Sequence, residues 1–174
     1  MRRTARTAYQ LQLRIVRDGG RVPTHARGVA GDEWQMGSLL TKTDQGRYAA
    51  LDGPIDANAA GPIAAICTDH EGFSGDAAAH VNVQEIGVDT VFEAQVLAGA
   101  ADRDDVFKRC RLTQDATTGH YAVDLNNTTD PSIEIVSVEP EFHGNYGPGA
   151  SANYNLVWFK FVPGLIATAP AEVS

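Results

Sequence analysis

The sequence predicts an all-β fold: a short-strand sandwich or barrel with one short helix and an extended N-terminal arm. Three features carry that expectation. Apolar and polar residues alternate at every second position in several of the apolar stretches. Turn residues, chiefly Gly, Pro, Asn and Asp, separate these stretches at short intervals. One segment alone has acids first and bases last, the charge order that suits a helix dipole.

The elements follow in order. Tyr9–Val16 reads YQLQLRIV, with Tyr9, Leu11, Leu13 and Ile15 on one face and Gln10, Gln12 and Arg14 on the other. That is a half-buried strand, ended by Asp18-Gly19-Gly20. Residues 22–35 are rich in Gly, Ala and polar types and read as an irregular arm. MGSLLT (36–41), the turn TDQG and RYAAL (47–51) make a hairpin. PIAAIC (62–67) is a buried strand. HVNVQEIG (80–87) and TVFEAQVLAG (90–99) alternate again, the second with Phe92, Ala94 and Val96 inward and Glu93 and Gln95 outward. Asp102 caps the one helix. Asp104 and Asp105 stand in its first turn, Lys108, Arg109 and Arg111 near its end, and Val106, Phe107 and Cys110 form its apolar stripe. Strands resume at 111–114, 120–125 and 132–139. The last, YNLVWFKFV (154–162), is apolar on both faces and therefore central or buried at an interface. Trp158, Phe159 and Phe161 within it belong to the core or to a self-association surface.

The 174 residues suit one body with arms: a basic N-terminal strand and arm over 1–35, a β body over 36–164 and a tail over 165–174. No apolar run approaches the ~18 residues of a membrane helix, and no apolar stretch of signal-peptide type follows the first residues. A soluble protein with no membrane partner is expected. Cys67 and Cys110 read as reduced thiols.

The net charge of −8 is unevenly divided. Residues 1–31 hold seven arginines and one acid, a balance of +6, while the rest hold seven Lys or Arg against 21 acids, a balance of −14. Phosphate backbones require clustered cations, so the acidic body is not expected to bind nucleic acid. The arm (Arg2, Arg3, Arg6, Arg14 and Arg17) could touch nucleic acid or an acidic protein surface. Trp34, in irregular sequence, is either an anchor for a partner's pocket or tucked onto its own body.

Motifs for chemistry are sparse. There is no G-x-S-x-G elbow, P-loop, dinucleotide glycine fingerprint or H-E-x-x-H. Cys67, His70 and His80 have some metal-ligand spacing but lack a fourth ligand. Asp102, Asp104 and Asp105 lack the later Gly and Glu of a calcium loop, and capping explains them. Asp69, His70 and Glu71 would be the acid–base cluster of a small hydrolase. Tyr146 and Tyr154 would be the stacking platform of a carbohydrate-binding sandwich. No catalytic residue, metal or cofactor is assigned.

Several segments resemble the cement, or decoration, proteins that coat the heads of tailed bacteriophages. They are GSLLTKTDQGRYAAL (37–51), PIAAICTD (62–69), VFEAQVLAGAADRDDVFKRCRLT (91–113), GHYAVDLNNTTDPSIEIVSVEPEF (119–142) and VWFKFVPG (157–164). The similarity spans roughly residues 37–164 and leaves 1–36 outside it. It implies a non-enzymatic virion protein, made in the bacterial host cytoplasm, on the outer capsid surface. Its partner would be the major capsid protein, with the protein itself a homotrimer (dimer second). The contact residues expected on that reading are Arg2, Arg3, Arg6, Tyr9, Leu11, Leu13, Arg14, Arg17 and Trp34, with Tyr9–Val16 adding to a sheet edge. A head-fibre module that binds carbohydrate or adheres to a surface is the alternative.

Overall fold

A computed structural model describes residues 13–51, 55, 61–97, 101–114, 119–138 and 156–167. Within them lie eleven strands: β1 (Arg14–Arg17), β2 (Thr24–Arg27), β3 (Leu39–Lys42), β4 (Tyr48–Ala50), β5 (Ala65–Cys67), β6 (His80–Glu85), β7 (Val91–Gln95), β8 (Arg109–Gln114), β9 (Tyr121–Asp124), β10 (Ile133–Val138) and β11 (Leu156–Phe161). They form two antiparallel sheets, one in the order β1-β7-β11-β10-β8-β9 and the other β2-β6-β5-β3-β4. The all-β expectation holds. The six-stranded sheet curls: a parallel bridge joins Val96 to Val123, bringing β9 back to the far end of β7.

Period-2 alternation builds the core between the sheets. The register pairs Phe92 with Phe159 and Ala94 with Val157, while Ile133 faces Phe161 and Ile135 faces Phe159. These side chains share the inner face, all at most 3% exposed. Phe92, Phe159 and Phe161 pack with ring centroids 5.0–5.7 Å apart, in the offset and edge-on geometries that aromatic quadrupoles favour. Leu39 and Ile66 meet them from the five-stranded sheet, with Ile63 just before β5. That sheet is apolar on its other face too, where Leu40, Ala65, Cys67, Val81 and Val83 make a second core closed by Trp34, Tyr48 and Phe73. Two-sided burial explains why PIAAIC is apolar without alternation.

Two expectations need correction. Residues 22–35 are not wholly irregular, since Thr24–Arg27 pairs with β6. The segment after Asp102 is a single 3-10 turn, Arg103–Asp105, rather than a longer helix. Its capping box is complete, with Asp102 accepting from Asp104 N and Asp105 accepting from Asp102 N. The turn ends because Phe107 takes φ +69° and its N–H donates to Ile135 O. Val106, Phe107 and Cys110 therefore form no helical stripe: Phe107 is 75% exposed and Cys110 is fully buried in β8.

Candidate partner-binding edge

β1 is a short edge strand whose inner side chains are core. Leu13 is 3% exposed, and Ile15, opposite Phe92, packs against the same cluster. One flank of β1 is paired with β7. The other meets no strand among the described residues. A bulge between Ile15 and Arg17 pushes Val16 outward, and Arg17 is exposed. Such an edge keeps main-chain donors and acceptors for one more strand, while the bulge and the flanking arginines restrict which strand can pair.

The outer face beside this edge carries a ladder of three side chains on adjacent strands. Arg14 on β1 lies opposite Glu93 on β7, which lies opposite Trp158 on β11. Arg14 Nε donates to Glu93 Oε1 at 2.6 Å, and Trp158 Nε1 donates to Glu93 Oε2 at 2.9 Å. Glu93 is only 4% exposed, against 58% for the Arg14 side chain. Alternation correctly put Glu93 on the face away from the core. It is buried there because Arg14 and Trp158 cover it.

The expected contact residues thus separate. Leu13 and Arg14 are engaged within their own chain, one in the core and one on Glu93. Arg14 and Arg17 are both exposed, and Arg17 has no carboxylate partner among the described residues. Arg2, Arg3, Arg6, Tyr9 and Leu11 lie outside the described residues, as do Tyr146 and Tyr154. Trp34 is tucked into its own body at 6% exposure, and that corrects the anchor alternative. Its backbone bridges Phe73, with Trp34 N donating to Phe73 O at 3.1 Å and Phe73 N to Trp34 O at 2.8 Å, and the rings meet tilted with centroids 4.6 Å apart. Gly72 makes this approach possible: it sits at φ +71°, and a Cβ there would stand 2.3 Å from Trp34 O. Phe159 and Phe161 are core, whereas Trp158 is half-buried on the outer ladder.

Against known protein families, curated proteins and solved structures, the chain gives no match.

The sparse chemical candidates take structural places. Asp69 Oδ1 accepts from Glu71 N, and Asp69 Oδ2 accepts from Asn82 N and Nδ2, so this carboxylate pins its loop to β6. His70 and Glu71 are exposed. Among the described residues, no three His, Cys, Asp or Glu side chains gather as a metal site, so Cys67, His70 and His80 are not brought together as ligands. Both cysteines are free and buried, in separate cores. Burial pushes each thiol up to about 11, which keeps it protonated at neutral pH.

Proposed function

We propose that this protein is a non-enzymatic structural component of a tailed-phage head, bound to the outer capsid surface and bridging neighbouring major capsid proteins. The observation that carries the reading is the open flank of β1, an edge strand that continues the cationic N-terminal segment. A capsid strand added there would gain main-chain hydrogen bonds, and Arg17 with the arginines before it would face acidic groups on the shell. The rest of the molecule suits a rigid clamp, with two sheets packed on a shared aromatic core. Copies act as a symmetric oligomer, a trimer, whose shared surfaces add area that one edge strand lacks.

Reconstitution tests this. Heads lacking the protein are heated with and without purified chain, and DNA release is followed. Added protein should raise the rupture temperature; an unchanged rupture temperature rejects the proposal.

A further inference from the structure

β2 and β4 are the two edges of the five-stranded sheet. They touch at one parallel bridge, Gly28 with Tyr48, where Val29 N donates to Tyr48 O at 2.9 Å. Beside that bridge lies a cleft of about 430 Å3 between β2 and the β3–β4 hairpin, with His80 and Glu85 of β6 also on its wall.

The charge of this cleft is opposite to that of the chain. Arg27, Lys42 and Arg47 line it, with Glu85 as the single acid. Glu85 is already engaged, accepting from Tyr48 OH at 2.8 Å and from Lys42 Nζ at 3.2 Å. Among the described residues, neither guanidinium meets a carboxylate. Arg27 Nε donates to His80 Nε2 at 3.2 Å, and Arg47 Nη1 donates to the carbonyls of Gly28 and Ala77 at 2.9 and 3.2 Å. In a chain with 22 acids and 14 Lys or Arg, two arginines without a described carboxylate on one concave wall keep donors and charge for an anion. The edge position adds a second element of recognition, because among the described residues Thr24–Arg27 is paired on the β6 side alone, up to the bridge at Gly28.

We propose that this cleft binds an acidic, extended peptide segment of another protein, which adds alongside β2 and places a carboxylate on Arg27 and Arg47. The main chain of the incoming segment would pair with the edge, and its carboxylate would take forked, charge-assisted hydrogen bonds. A free inorganic anion would satisfy the arginines and leave the edge empty, so a peptide is the better-fitting occupant. The cleft lies on the other sheet from β1, and its occupancy does not depend on the capsid reading.

The test is calorimetric titration of the full chain with a capped peptide alternating glutamate and valine. Controls are its lysine-for-glutamate twin and inorganic phosphate. The acidic peptide should bind and weaken as salt is raised, the lysine twin should not bind, and Arg27→Glu should cut affinity about tenfold or more. Arg27 is exposed, so an unchanged urea midpoint shows that this variant is folded. Equal binding by the lysine twin, no acidic-peptide binding, or undiminished binding by the folded variant overturns the proposal. So does displacement of the peptide by equimolar phosphate, which would make the cleft a small-anion site. None of these outcomes bears on shell rupture.

Discussion

Glu93 shows how far one residue's environment departs from its sequence pattern. Its carboxylate sits on the polar face of β7 yet is nearly inaccessible, held by Arg14 from one neighbouring strand and Trp158 from the other. Removing Arg14 leaves a buried anion short of a donor. Arg14→Ala should cost about 1–2 kcal/mol in urea unfolding, at the low end for charged hydrogen bonds because the Arg14 side chain is itself more than half in water. An unchanged midpoint would mean that the ladder contributes nothing. Glu85 gives a pH signature. The hydrogen bond from Tyr48, then that from Lys42, holds its carboxyl below the ordinary value of 4.5. A carboxyl depressed in the folded state binds fewer protons there than in the unfolded chain. Its contribution is therefore complete above the ordinary carboxyl range and is lost as pH falls through the lower, folded value. Glu85→Gln should flatten the loss of stability that sets in as pH falls through and below the ordinary carboxyl range, with unfolding midpoints as the readout.

Among the elements, β1 changes what a truncation means. Its Ile15 packs against the core, as does Leu13 just before the strand, and its Arg14 covers Glu93. Removal of residues 2–21 should destabilise the body by several kcal/mol, since loss of one buried leucine side chain alone costs about 2–5 kcal/mol. Removal of residues 2–12 spares β1, so shell binding should fall while the unfolding midpoint is kept. Equal shell binding by the 2–12 deletion would take the leading arginines out of the account. The strands that the sequence made legible are those with a repeated alternation or a doubly apolar run. β11 is the clearest, expected to be central or at an interface, and flanked by β7 and β10. β2 is not legible, because THAR offers one small apolar residue, Ala26, and becomes a strand through pairing with β6. The acidic turn was half legible. Asp102 announced the cap, but nothing local announced that Phe107 would adopt a left-handed backbone and release the chain into β8. The candidate edge was legible as a strand but not as an edge, because strand order is set by contacts between residues far apart in the sequence. Arg14 and Glu93 are 79 positions apart.

On the scale of the whole molecule, the division into a basic arm and an acidic body is less sharp than composition implies. From Leu13 to Trp34 the basic region contributes β1 to one sheet, β2 to the other and an indole to the second core. Two cations of this region stand at different sheet edges, Arg17 at β1 and Arg27 at β2. One rigid body thus presents two edges of matching charge, a geometry suited to joining molecules. Cryo-electron microscopy of phage heads assembled with and without the protein tests this most directly. Its presence should add density on the outer face of the shell, with the free flank of β1 against a capsid subunit. Decorated heads with β1 turned to solvent, or heads with no added density, would contradict it.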